Sequence, residues 1–175
     1  TLVVSDHPSL HKAPRPTAKR SSKPLKESVA SILDRDVDIT IQRWLSRVEQ
    51  LSALNALPIG PNERTEYLPE MMRDISAHLR AVHNVELSDR PSLAAVAHGQ
   101  LRYRQGYTAP LMVQESRILQ VCIFETIQRN LTSVDFTSVL PDIMIIADEV
   151  DSQLTQSVAS FLASQKHEAL ACAKI

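Results

Sequence analysis

The chain has 175 residues, the size of one domain with a substantial core, and its 43% hydrophobic and 22% charged content is ordinary for a globular protein. Three Gly residues are too few for phosphate-binding loops or a turn-rich β fold, and 4% aromatic residues disfavour nucleic-acid stacking platforms. The net charge is −1, and no apolar run reaches the ~18 residues of a membrane span.

The first 24 residues are predicted to form a disordered, basic, Pro-rich lead-in. Six Lys or Arg residues and one Asp lie within residues 1–26, together with four Pro residues. Such a segment buries too little apolar surface to offset the entropy lost on ordering. A basic arm can bind nucleic acid or anionic lipid. Because no predicted helix carries a basic face, we expect a solvated tail and no nucleic-acid partner.

Apolar residues at intervals of three and four predict two helices in the first half of the chain. The first begins near Pro24 or Leu25, with Ser21 or Ser22 as its N-cap, and continues as one amphipathic helix to Leu54. Pro58, Gly60 and Pro61 then form a loop. The second helix begins near Leu68 and ends near Val82, and residues 84–90 form a polar connection.

Three further helices are predicted in the second half. The third has Pro91 in its first turn, Ser88 or Asp89 as its N-cap and Gly106 at its C-terminal end. The fourth follows Thr108 and is apolar on more than one face, which is typical of a central helix or one that also faces a partner chain. The fifth begins between Thr137 and Pro141 and has no stop signal after it.

The predicted fold is therefore all-α, a bundle of about five helices. Residues 25–163 form the helical domain, and residues 164–175 form a connector helix to an output module. Cys122 and Cys172 occur in no metal-binding or redox motif, which is typical of a reducing, cytoplasmic setting without disulfides.

No catalytic or metal-binding motif stands out. His78 and His83 are five residues apart, so they lie on different helix faces, and no Glu-x-x-His sequence occurs. The Gly-x-Ser-x-Gly elbow of α/β hydrolases is also absent. We therefore predict no catalytic residues, no metal and no enzyme activity for this chain.

Four polar residues form the candidate site: His98, Arg102, Tyr107 and Glu115. His98 and Arg102 are four residues apart and share one face of the third helix. A turn at Gly106–Tyr107 can bring the Glu115 carboxylate toward them. Such a cluster acts either as a ligand pocket or switch, or as a clamp that fixes helix packing. Gly99, between them, predicts a close approach of a neighbouring helix or a ligand.

These residues resemble a known family. The pattern His98-Gly99-x-x-Arg102-x-x-x-Gly106-Tyr107, followed by Glu115 and Leu119, is similar to the RsbRD-type N-terminal domain of bacterial stressosome co-antagonists. The same domain heads many bacterial sensor histidine kinases. The resemblance covers roughly residues 28–163, and its other supporting positions are Trp44, Leu68-Pro69-Glu70-Met71-Met72 and Val150-Asp151-x-x-Leu154. The chain departs from the pattern at Ser116 and Gln120, where the family tends to show an aromatic residue and an Arg.

The resemblance implies an all-helical, cytoplasmic, commonly dimeric regulatory input domain without catalytic residues. The favoured interpretation is the sensory domain of a bacterial sensor histidine kinase, which signals through its last helix to an output module. One alternative is the regulatory domain of a stressosome RsbT co-antagonist. Another is a globin-like sensor that binds haem or a small apolar molecule, with His98 or His78 facing the cleft, although related stressosome domains lack haem. A third is a free-standing interaction protein that works through the apolar fourth helix.

Overall fold

Eight helices make up most of the chain that the computed structural model describes, residues 26–84 and 91–173. Within these ranges strand pairing is limited to one isolated bridge between Glu27 and Val134. The all-α prediction is therefore confirmed, with more and shorter helices than the five expected. The helices are α1 Val29–Arg35, α2 Val37–Gln50, α3 Ser52–Asn55, α4 Pro61–Thr65, α5 Leu68–His83, α6 Leu93–Arg104, α7 Ala109–Arg129 and α8 Phe136–Cys172.

The prediction of one continuous first helix was wrong, because the helix is interrupted at Asp36 and again at Leu51. Asp36 leaves helical geometry, and its carboxylate receives hydrogen bonds from Arg35 and from the Asn130 side chain. Leu51 is extended, which turns the chain so that Leu54 becomes fully buried. The intervals of three and four continue across both breaks, so periodicity does not reveal them. α1 begins at Val29, capped by Ser28, and the predicted caps Ser21 and Ser22 lie outside the described residues.

The helix boundaries around the candidate site follow local capping rules. α6 begins at Leu93, and Ser92 is its N-cap, with its hydroxyl 3.1 Å from the Ala95 N–H. Pro91 therefore precedes the helix, and the caps expected at Ser88 and Asp89 lie outside the described residues. Gly106 ends the turn after α6 as predicted, with a φ of 76° that other residues rarely adopt.

The last helix, α8, is one continuous element of 37 residues. It begins at Phe136, slightly earlier than predicted, because the Asp135 carboxylate accepts a hydrogen bond from the Thr137 N–H. Its buried side chains repeat at three and four residues as far as Phe161. From Leu162 to Cys172 the helix is largely exposed, and this segment is about 16 Å long.

The bundle core lies where α2, α5, α7 and α8 meet. α6 packs most extensively along α8, while α1 packs on α5 and α2 packs on α7. α6 and α7 are joined by a short turn, yet α6 packs along α8 and contacts α7 mainly through polar side chains. The largest fully buried apolar side chains are Trp44, Ile32, Leu33, Leu54, Leu68, Met72, Ile75, Leu79, Met112, Ile123 and Ile127.

In the described part of the chain, every helix falls short of the length or the apolar character that crossing a bilayer demands.

Candidate functional site

The Glu115 carboxylate is the centre of a buried polar cluster at the junction of α6 and α7. Its Oε1 atom accepts hydrogen bonds from His98 Nε2 and from Arg102 Nε, each at 2.8 Å. His98 and Arg102 lie one turn apart on α6, and Glu115 lies in the second turn of α7. All three side chains are at most 7% exposed. These three residues therefore lie together, as predicted. We call them the His98–Arg102–Glu115 cluster.

Arg102 is held by every nitrogen of its guanidinium group. Besides Glu115, it donates to the Gln105 side chain and to the backbone oxygen of Arg64, both at 2.7 Å. Its guanidinium also lies 4.7 Å from the centre of the Tyr107 ring, a cation–π contact. A fully buried arginine with this many partners is fixed in one geometry.

Arg64 is a member of the site that the sequence pattern did not predict. It is only 3% exposed, on the short helix α4, which follows Pro58 and Gly60 of the predicted loop. Its guanidinium donates to the Tyr107 hydroxyl and to the backbone oxygen of Leu54, both at 3.2 Å. Tyr107 thus connects the two arginines. No sequence signal marks Arg64, because it lies among polar residues outside any apolar periodicity.

Burial and neighbouring charges have opposite effects on the pKa of Glu115, and likewise on the pKa of His98. Burial favours a protonated Glu115, but the Arg102 charge and the His98 and Arg102 hydrogen bonds outweigh it and lower the pKa to about 2. Burial lowers the pKa of His98 below its ordinary value, although Glu115 pulls it upward. At neutral pH, His98 is therefore a neutral imidazole whose Nε2–H donates to a carboxylate. Burial and the nearby carboxylate also raise the pKa of Tyr107.

A small cavity lies beside the cluster, among α2, α5, α7 and α8. It contains about 20 Å³ in which the centre of a water molecule fits, and two of its lining residues, Ser116 and Leu154, are partly exposed. Its walls include Trp44, Met71, Met112 and Leu119. Such a space holds about one water molecule.

Two polar atoms in the residues that line this cavity have no partner within the described structure. They are Oε2 of Glu115 and Oε1 of Gln153, and both are fully buried. The amide nitrogen of Gln153 donates to the Met71 backbone oxygen at 3.1 Å and to Glu149, which leaves the oxygen free. Gln153 was not predicted as a site residue, although it interrupts an otherwise mainly apolar series of buried positions in α8 (Ile146, Val150, Gln153, Ser157 and Phe161).

α6 is joined to α8 by direct backbone contact. A Cβ built on Gly99 would lie 2.0 Å from the backbone oxygen of Ser157. The hydroxyls of Ser157 and Ser160 donate to backbone oxygens of α6, those of Ala95 and Val96, at 2.8 and 2.9 Å. The close approach expected at Gly99 is therefore made by a neighbouring helix. Any movement of the α6 backbone here must also move α8.

The residues around the cavity do not fit a haem in this arrangement. His98 Nε2 is already bound to Glu115, and the cavity has room for about one water molecule. His78, the other candidate, lies 3.5 Å from the Glu149 carboxylate. Within the described ranges, His, Cys, Asp and Glu side chains form no group of three that could hold a metal ion.

Comparisons of the chain with family models, with curated proteins and with solved structures gave no match.

Proposed function

We propose that the chain is a non-catalytic sensory or regulatory domain of a bacterial signal-transduction protein. A signal changes packing at the His98–Arg102–Glu115 cluster, and α8 transmits the change to an output module or partner protein. A sensor histidine kinase is the favoured context, and a stressosome co-antagonist is the alternative. Both contexts rest on the resemblance of His98-Gly99-x-x-Arg102 and the residues after it. The domain would act in the cytoplasm.

One observation carries the proposal: the helix that holds His98 and Arg102 is in backbone contact with α8. Gly99 lies between these residues in sequence and packs on Ser157. Tyr103, on the same helix, packs edge-on against Phe161 with ring centres 5.6 Å apart and contacts Glu168 through its hydroxyl. A rearrangement of the cluster therefore has a continuous packed route to the exposed end of α8. Packed helices with two alternative arrangements are a general means of switching.

A clamp that only fixes helix packing is the competing interpretation. A clamp and a switch both lose stability when Glu115 is removed, since Arg102 would then be buried without its counter-charge. They differ in whether a conservative change at Glu115 repositions α8 in protein that is still folded.

The sequence already contains a fluorescence donor, Trp44, and a labelling site for the acceptor, Cys172. Trp44 is the sole tryptophan and lies at the cavity, while Cys172 is exposed near the end of α8 and Cys122 is buried. We would attach a fluorescence acceptor to Cys172 and measure energy transfer from Trp44. Donor lifetimes of each variant without the label correct for local changes at Trp44.

The switch predicts that Glu115→Gln changes transfer efficiency while far-ultraviolet circular dichroism remains native. The matched control is Glu66→Gln at an exposed position, which should leave transfer unchanged. Equal transfer in wild type and Glu115→Gln would reject the switch and leave the clamp.

The proposal includes self-association, because the RsbRD-type domains that this chain resembles are commonly dimeric. The expected surface, the fourth predicted helix, corresponds to α7, where Val113 and Val121 are partly exposed. Light scattering over a range of concentrations tests it: a rise in average mass supports a dimer, and a monomer mass throughout removes it.

A further inference from the structure

We propose that the first three turns of α8 form the contact surface for a second copy of this chain. Phe136, Leu140 and Met144 are 69, 69 and 67% exposed, and we call these three residues the α8 stripe. They are spaced four residues apart, so they lie along one side of the helix. The inference deepens the self-association that is part of the proposed function, because it names the contact surface and moves it from α7 to α8.

No charged side chain is exposed along residues 136–147, the part of α8 that carries the stripe. Between the N-cap Asp135 and Asp148 the one charged residue is Asp142, which is buried with its Oδ1 atom 2.7 Å from His83 Nε2. Helix faces that meet water usually carry charged and polar residues. An uncharged apolar stripe on the surface therefore indicates a face that another molecule covers.

The exposed apolar surface of α7 is smaller and is interrupted by a charge. Val113 and Val121 are 41 and 44% exposed, and the exposed Arg117 lies between them on the same side of the helix. Burying its guanidinium against an apolar partner without a counter-charge would cost free energy. The α8 stripe has no such cost, so it is the better contact surface of the two.

The area of the α8 stripe reaches what a small specific interface requires. With Thr137 and Pro141, which are exposed beside it, the stripe offers roughly 600 Å² of surface, so two copies would bury roughly 1,200 Å² in total, the lower end for a specific complex. Interfaces at this end of the range are typical of weak complexes. We therefore expect a dimer with a Kd of about 10–100 µM.

The α8 stripe is complementary to itself. A two-fold axis at Leu140 brings this residue onto Leu140 of the second copy and Phe136 onto Met144 of the second copy, with the two α8 helices antiparallel. Contacts between a thioether and an aromatic ring are favourable. A parallel pair would place the exposed Asp148 beside Asp148 of the second copy, whereas the antiparallel pair keeps these carboxylates roughly 24 Å apart along the helix axis, where salt screens them. The charges therefore favour the antiparallel pair.

Light scattering of the full chain over about 1–200 µM measures the self-association, a range that brackets the expected Kd. The disruptive variant is Leu140→Glu, which places two carboxylates at the two-fold axis. The matched control is Leu93→Glu, the same substitution on α6 at a position that is 81% exposed. We expect wild type and Leu93→Glu to dimerise alike and Leu140→Glu to associate at least about tenfold more weakly, because like charges face each other. Far-ultraviolet circular dichroism checks that each variant is folded.

Val121→Glu tests the α7 surface separately and should leave the dimer intact. The proposal is overturned in favour of α7 if Val121→Glu weakens association as much as Leu140→Glu does, or if association of folded Leu140→Glu is unchanged. A monomer mass at every concentration would remove the dimer altogether and leave the α8 stripe to residues 1–25 or to another protein. The transfer measurement between Trp44 and Cys172 tests the switch, so its failure is distinguishable from these outcomes.

Oxidative cross-linking tests the antiparallel pair without a charged variant. The background is Cys172→Ser, which removes the exposed thiol, while Cys122 is buried. Leu140→Cys chains should link to each other, because a disulfide requires Cα atoms within about 7 Å. Met144→Cys is the control and should not link, since the antiparallel order separates the two Met144 positions by roughly 12 Å along the helix axis. Linking at both positions, or at neither, would contradict the proposed pair.

Discussion

Gly99 of α6 and Ser157 of α8 approach so closely that a methyl group on Gly99 would lie 2.0 Å from the Ser157 backbone oxygen. Because the obstructing atom belongs to a helix backbone, it cannot rotate away as a flexible side chain could. This contact places the helix that carries His98 and Arg102 directly against the helix that leaves the bundle. It is the mechanical basis of the proposed coupling.

Gly99→Ala is expected to destabilise the fold by about 2 kcal/mol, since the backbone clash places overpacking near about 3 kcal/mol and helix propensity returns roughly 1 kcal/mol. Urea denaturation measures the change in unfolding free energy. Gly60→Ala is the control, because a Cβ at that position would meet no atom within 4 Å and the φ of −69° suits alanine. A Gly99→Ala variant as stable as wild type would show that the two helices separate at little cost.

Glu115→Ala should cost about 3–5 kcal/mol, because it leaves Arg102 buried without its counter-charge. Glu115→Gln should cost less, since an amide oxygen can still accept a hydrogen bond from Arg102 or His98. Glu66→Ala, at an exposed position, should change the unfolding free energy by less than about 0.5 kcal/mol. If Glu115→Ala were as mild as Glu66→Ala, the cluster would not be a buried, tightly paired unit.

Acid should weaken the fold through both titrating members of the cluster. The pKa of folded His98 lies below its ordinary 6.5, because burial outweighs the pull of Glu115. Below pH 6.5 the unfolded chain therefore binds a proton that the folded protein refuses, and stability falls. The Glu115 contribution is present above its ordinary pKa of 4.5 and is lost as pH falls toward about 2.

The His98 contribution can be isolated by comparing wild type with His98→Asn between about pH 7 and pH 5. The stability difference between them should shrink as pH falls, by at most about 1.4 kcal/mol per pH unit. Gln128→Asn, at an exposed position of α7 that carries no titrating group, should give a difference from wild type that does not vary with pH. A pH-independent difference for His98→Asn would mean that His98 titrates alike in the folded and unfolded chain.

The two cysteines should differ sharply in reactivity. Cys122 is fully buried on α7, and burial raises the pKa of its thiol, so it holds little of the reactive thiolate. Cys172 is exposed on the projecting end of α8. A thiol reagent should modify one cysteine per folded chain and two in urea. Rapid modification of both in the folded protein would show that α7 opens readily, and selective labelling of Cys172 would then fail.

The sequence predicts those features of this fold that depend on local chemistry. Helical periodicity gives the all-α class, Gly106 marks the end of the α6 turn, and the spacing of His98, Arg102 and Glu115 predicts that they converge. The break at Asp36 was not predictable in this way, because it depends on Arg35 and on the distant Asn130.

The site residues that were not predicted depend equally on tertiary structure. Arg64 contacts Arg102 and Tyr107 because α4 folds against the Gly106–Tyr107 turn. Gln153 acquires its role because the bundle places it beside the same cavity as Glu115. Neither arrangement can be predicted from neighbouring residues in the sequence. Gln153, however, stands out as a polar residue within a mainly apolar helical series.

The most direct test of the account compares two folded variants of equal stability by energy transfer from Trp44 to an acceptor on Cys172. Glu115→Gln alters the cluster, whereas Ile127→Val removes one methyl group from the core of α7 and leaves the cluster intact. Urea concentration can be adjusted until both variants have the same unfolding free energy. If the cluster is coupled to α8, transfer differs from wild type in Glu115→Gln alone. If transfer depended only on stability, and so was equal in the two variants, the cluster would be a clamp and the proposed coupling to α8 would be wrong.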